Sequence, residues 1–242
     1  MLCTALFGIP FHPPQDAPSN VYIALRFVHV VAGITWVGLL YFFNLVNVPF
    51  MKEAEAPIKP AIMKSMTLRA LWWFRWGAVV TVLAGLAYWI VWSASEAHNG
   101  GASAGRLHGS FFGIWILVFV VEYAVIMVAK VNNGTVLAVI MAVLVALASW
   151  GFLALNAQSY FSNHVLSIGI GGGMGLLMLL NVWGIIWRAN KKIINGVLAG
   201  TPHPDAATLA RQAFLASRTN AWLSLPMLFF MVAASHYPLF GS

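Results

Sequence analysis

Seven histidines stand along this chain of 242 residues, at positions 12, 29, 98, 108, 164, 203 and 236. A neutral imidazole can ligate haem iron or another metal through one ring nitrogen, and it exchanges protons near neutral pH. A second set of polar residues interrupts otherwise apolar stretches: Asn44, Arg75, Glu122 and Asn181. What either set can do depends on the elements that carry it and on the depth at which those elements place it.

The elements are long and apolar. Hydropathy marks six stretches, Val21–Val48, Trp72–Trp92, Ser110–Ala129, Thr135–Leu155, Val165–Trp187 and Asn220–Ser235. At about 1.5 Å per residue, the first five span a hydrocarbon core of about 30 Å as helices. The sixth needs flanking residues such as Ser217–Thr219. The expected fold is therefore all-α: a polytopic membrane helical bundle with about six transmembrane helices, forming a single integral domain over residues 1–242. The chain is 61% hydrophobic and 8% charged. That excludes an ordinary soluble domain, in which about a quarter of residues are charged.

Charge placement gives the direction. Of the 13 lysines and arginines, all but Arg26 and Arg106 fall in or beside the segments that follow the first, third and fifth stretches. By the positive-inside rule those segments are cytoplasmic and both termini are periplasmic, in the inner membrane of a bacterium. The net charge of +7 then reports topology and contact with a lipid bilayer. No motif points to nucleic acid.

Alternate threading brings His12, His29, His98, His108, His164 and His236 to the outer face and leaves His203 on the other. His29 is the leading candidate. It lies about eight residues into its span, on the order of 12 Å below the boundary. An imidazole at that depth must be hydrogen-bonded, face a cavity or ligate something. His164, His108 and His236 stand at the outer ends of three other spans. The chemistry that fits is a b-type haem near the periplasmic face, with His29 and His164 as the first pair of iron ligands. His108 and His236 are alternatives, or the ligands of a second haem. The competing reading is a set of structural or solvated histidines.

Asn44, Glu122 and Asn181 follow His29, His108 and His164 by 15, 14 and 17 residues. If the three histidines share a depth, the three polar residues share another, about 21–26 Å lower. Arg75 enters from that side. A carboxylate inside a membrane is costly and is a functional hypothesis by default. Here the candidates are a proton relay or the acid of a quinone site, set against a Glu122–Arg75 ion pair that only fixes packing. The glycine-rich run Ile168–Gly175 reads either as close helix packing or as room for the flat face of a porphyrin or quinone. Trp72, Trp73, Trp76, Trp92, Trp187 and Trp222 suit an interfacial aromatic belt. Cys3 is the single cysteine, so no intramolecular disulfide forms, and no Cys-x-x-Cys-His motif attaches a haem covalently.

Among the connecting segments, Pro49–Leu71 carries prolines at 49, 57 and 60, and Met63–Leu71 within it reads as a short interfacial helix. His98–Gly105 reads as a mobile loop, Asp205–Ser217 as helical with Asp205 as its candidate cap, and Met1–Asn20 as an N-terminal arm.

Several segments carry a resemblance. Span one reads His29-Val-Val-Ala-Gly33-Ile-Thr-Trp36-Val-Gly38 and continues to Tyr41 and Asn44. Span two opens Trp73-Phe74-Arg75-Trp76-Gly77. Span five holds Met178-Leu-Leu-Asn181-Val182-Trp183, followed by Lys191-Lys192. Span six runs Ser217-Arg218-Thr219-Asn220 through Leu225-Pro226 to His236-Tyr237-Pro238. Together these resemble the urate oxidase N-terminal membrane family, the membrane domain of bacterial cytochrome-c-linked urate hydroxylases. Thr219, where the family typically has histidine, and the absence of a proline near Arg188 depart from its pattern.

The resemblance implies a membrane redox protein, an oxidoreductase or electron-transfer subunit, passing electrons to a c-type cytochrome on the periplasmic side. Many members continue into such a cytochrome, which a partner is expected to supply here. The rival is a cofactor-free accessory subunit of a larger respiratory or photosynthetic membrane complex. A transporter is a third reading.

Overall fold

The computed structural model describes residues 14–157 and 160–240. His12, Cys3 and most of the N-terminal arm lie outside the described residues. All regular structure within them is helical and falls into six long helices. These are α1 Ala17–Glu53, α2 Ala56–Gly100, α3 Ala104–Val128, α4 Gly134–Asn156, α5 Asn163–Leu198 and α6 Ala206–His236.

The first five are long and apolar enough to cross a membrane, which is the composition of a multi-pass membrane protein. α6 is not among them. The expected sixth span therefore does not qualify on hydropathy: its apolar stretch from Asn220 is short, and Arg211, Gln212 and Arg218 occupy the half of α6 that precedes it.

Local chemistry sets the helix starts. Asp16 caps α1, accepting from the Ser19 N–H at 2.8 Å. That bond holds the Asp16 carboxyl below its ordinary pKa. Ser103, Asn133 and Ser162 cap α3, α4 and α5 in the same way, each accepting from backbone N–H groups of the first turn.

Gly101, at φ 65°, ends α2 in the left-handed conformation that side-chain-bearing residues resist. The expected mobile loop at His98–Gly105 is thus only the short turn between Gly100 and Ala104. Two further expectations change. The Met63–Leu71 segment is the lower part of α2, not a separate helix. Asp205–Ser217 and span six form one helix, with Asp205 at its cap position but no side-chain cap bond.

α5 is the most enclosed helix and α1 the least. Phe27 and Ile34 of α1 are 69% and 70% exposed, as suits contact with lipid. α1 packs mainly on α2. α6 lies antiparallel along α5: Asn220 reaches the Met178 carbonyl at one end, and Asn163 reaches the Ala234 and Tyr237 carbonyls at the other. The core between them holds Trp89, Phe111, Trp115 and Phe152.

The glycine run lets those rings in. A Cβ at Gly173 would lie 1.8 Å from Trp115 Nε1, one at Gly169 2.3 Å from Phe152, and one at Gly171 3.1 Å from the Met227 carbonyl oxygen. Close packing therefore accounts for three of these glycines. π-helical turns widen four helices, at Phe42–Asn47, Met63–Thr67, Ala124–Val128 and Val182–Ile186.

Candidate functional site

A cavity of about 610 Å³ opens between α1, α2, α5 and α6, with Phe111 of α3 also on its wall. That volume is in the range of cofactor and small-molecule sites. Its wall is mostly apolar, and glycines 33, 38, 85, 172 and 175 remove bulk from it. Gly172 and Gly175 are thus the part of the glycine run that makes room for an occupant. The polar groups among the lining residues are few: Arg26, His29, Tyr41, Thr81, Tyr88, His164 and Ser235, with the indoles of Trp36 and Trp89.

His29 enters this cavity from α1. Its Nδ1 lies 2.7 Å from the Thr81 carbonyl oxygen. A carbonyl only accepts, so Nδ1 carries a proton, and in the neutral ring Nε2 keeps the lone pair. A ligand histidine is oriented in just this way by an outer hydrogen bond. The ring rests on Gly85, where a Cβ would sit 2.7 Å from Nδ1.

His164 lines the same cavity from the first turn of α5. Its Nε2 is buried and has no hydrogen-bond partner among the described residues. Its ring packs edge-on to Tyr88 and at a tilt to Trp92, with centroids 6.2 and 5.7 Å away. The two imidazoles meet α2 at different levels, Thr81–Gly85 and Tyr88–Trp92. Seven residues of helix separate those levels by roughly 10 Å. Trp36 brings an indole N–H that likewise has no partner among the described residues. Two imidazoles, orphaned buried nitrogens and a large apolar space suit a flat cofactor with a metal centre. Arg26 stands near the mouth, its guanidinium 4.5 Å over the Tyr88 ring and donating to the Tyr88 hydroxyl.

The other two candidate ligands are elsewhere. His108 Nε2 pairs with Ser93 Oγ at 2.9 Å, and its ring packs on Trp89 at 5.5 Å. His236 is exposed, with Nδ1 2.9 Å from the Val232 carbonyl of its own helix. Neither lines the cavity. The expected four-histidine set thus separates into a pair that shares a cavity and two that do not. Alternation placed all four at one end of the bundle, but depth and helix rotation decide which of them share a wall. Among the described residues, no three histidine, cysteine or acidic side chains group to hold a metal ion.

The polar layer also divides. Glu122 is fully buried, and its Oε2 accepts from Asn181 Nδ2 at 2.9 Å. Asn181 Nδ2 also donates to Asn220 Oδ1 at 2.9 Å. Asn44 instead donates to Ser217 Oγ at 2.9 Å. Arg75 pairs with no carboxylate among the described residues. Its guanidinium lies 3.8 Å over the Trp187 ring and 5.8 Å from that of Trp183. The packing ion pair between Glu122 and Arg75 is therefore not formed. Between the two layers, Tyr41 Oη and Ser224 Oγ meet at 2.9 Å, with Tyr41 on the cavity wall.

Sequence reasoning missed Tyr88, Thr81, Gly85 and Ser224. Thr81 acts through its backbone, which no side-chain pattern reveals. Gly85 acts through what it lacks.

The fold and site define a class: a multi-helix membrane protein with a histidine-bearing cavity between its helices. The model of the Urate oxidase N-terminal family matches residues 50–242, and the chain belongs to that family. No curated protein and no solved structure matches it. His29 and the rest of α1 before Phe50 precede the matched region, whereas Thr81, Gly85, Tyr88 and His164 lie within it.

Proposed function

We propose that this chain is a membrane redox subunit of urate-hydroxylase type, holding a b-type haem in the cavity between α1, α2, α5 and α6. His29 and His164 would be its iron ligands. The observation that carries the reading is His29: its Nδ1–H is spent on the Thr81 carbonyl, which leaves Nε2 as a lone-pair nitrogen in a large apolar cavity that His164 also lines. A haem supplies one-electron transfer when bound there. The protein's part is to orient the imidazoles, exclude water with Trp36, Trp89 and Phe111, and set a cation, Arg26, near the mouth for an acidic group.

The histidine end is taken as periplasmic on the charge bias, so electrons would leave towards a c-type cytochrome partner. α6 would be a sixth crossing, since it follows α5 antiparallel from Asn181 to Asn163. A quinone is the second occupant that this apolar cavity could take.

The test is the absorption spectrum of the purified full chain, oxidised and dithionite-reduced. The expected result is a Soret and α-band of b type, lost in His29→Ala while the variant still inserts. Absence of haem from the wild type, or an unchanged spectrum in His29→Ala, overturns the reading and leaves the cofactor-free accessory subunit in its place.

A further inference from the structure

We propose that Glu122 is a proton-binding site: a neutral carboxylic acid inside the bundle that shares its proton with the side-chain oxygen of Asn181. The argument begins at a backbone atom. The Met178 carbonyl can only accept, so the Asn220 amide must turn its nitrogen to it, at 2.9 Å. Asn220 Oδ1 then faces Asn181 and accepts from Asn181 Nδ2 at 2.9 Å. That fixes the Asn181 amide as well. Its second N–H goes to Glu122 Oε2 at 2.9 Å. Neither amide can flip without losing a bond.

Two oxygens are left over. Glu122 Oε1 and Asn181 Oδ1 are both buried with no hydrogen-bond partner among the described residues, although both side chains are 0% exposed. An ionised carboxylate has nothing to donate, so both oxygens would stay orphaned, each carrying the desolvation cost of an unsatisfied buried acceptor. One proton on Oε1 changes this. It turns that oxygen into a donor for Asn181 Oδ1, the unpartnered oxygen of the amide whose nitrogen already bonds Oε2. Acid and primary amide then pair through two reciprocal hydrogen bonds.

Among the described residues, no lysine or arginine forms an ion pair with Glu122. Arg75 lies on Trp187, Arg218 is over the Phe214 ring, and Arg211 donates to the Asn132 carbonyl. Arg188 lines a separate groove with Phe119 and Tyr123. A hard metal cation is a poorer occupant than a proton, since such ions gather about six or more oxygens and only two are free here. An uncompensated carboxylate at this depth would also oppose insertion, which a neutral acid does not. The site does not depend on what fills the histidine cavity.

The experiment is infrared spectroscopy of the full chain in lipid at neutral pH. The expected result is a carbonyl stretch of a protonated carboxylic acid that shifts on transfer to D₂O and is missing from Glu122→Gln. Glutamine reproduces the paired geometry, with its amide N–H in place of the acid proton, so this variant should retain wild-type helix content and thermal transition. A second measurement covers a variant that fails to fold. Wild-type protein labelled with carbon-13 glutamate should move the band, and Glu122 is the one fully buried residue among the four glutamates, Glu53, Glu55, Glu96 and Glu122. A wild-type spectrum with no such band, a band that survives Glu122→Gln, or a band unmoved by the label overturns the proposal.

Discussion

The imidazole of His29 occupies the space that a side chain on Gly85 would need: a Cβ there would fall 2.7 Å from Nδ1 and 2.8 Å from Cε1. The same ring bonds the Thr81 carbonyl, one turn earlier on α2. Helix α2 therefore grips this histidine twice, once by contact and once by hydrogen bond, and both grips act through backbone.

Gly85→Ala should displace the His29 ring and break its bond to Thr81. Overpacking of this kind costs about 1–3 kcal/mol. On the proposed haem assignment, haem content per protein, measured after pyridine extraction, should fall well below wild type. A variant with full haem content and an unchanged spectrum would show that the position of His29 does not matter for the cofactor.

A methyl group at Gly173 has nowhere to go. It would lie 1.8 Å from the indole nitrogen of Trp115, a fully buried ring that donates to the Gly169 carbonyl at 3.2 Å. Gly173→Ala should lower the thermal midpoint in detergent by an amount equivalent to about 1–3 kcal/mol or more. Gly172→Ala, whose added Cβ meets only Ile168 of its own helix at 3.6 Å, should leave stability nearly unchanged. Equal losses in the two variants would contradict this packing account.

Asn163 ties the end of α6 to the start of α5. Its Nδ2 donates to the carbonyls of Ala233, Ala234 and Tyr237, and its Oδ1 accepts from the N–H groups of Leu239 and Phe240. Asn163→Ala should release this segment at a cost of about 1–3 kcal/mol. Amide hydrogen exchange at Leu239 and Phe240 should speed up by one to two orders of magnitude, roughly what that free energy allows. Unaltered exchange at both amides would mean that the segment is held by something else.

Topology is open to a direct check. Reporter fusions at Gly100 and Gly200 should place the first outside the cytoplasm and the second inside, as the distribution of lysine and arginine predicts. A reporter active in the cytoplasm at Gly100 would reverse the orientation and with it the direction of any electron transfer.

Sequence alone determined the helical class, the long apolar crossings and the segregation of basic residues to one end. Each of these is a one-dimensional property, recorded in runs of side chains that must face lipid or water. It also determined that His29, Glu122 and Asn181 stand inside apolar stretches, which demands partners for them. Only the tertiary structure decided which partners they have. Whether an imidazole on one helix shares a wall with one on another depends on helix rotation and depth, and an error of one residue turns a side chain by about 100°. So His164 joins His29 at the cavity while His108 turns to Ser93 and His236 to its own backbone. Arg75 lies on Trp187, since helix α2 faces α5 there and not Glu122. The glycines of α5 read as a uniform run in sequence. In three dimensions they divide, because Gly169 and Gly173 admit aromatic rings from α4 and α3, while Gly172 and Gly175 face the cavity.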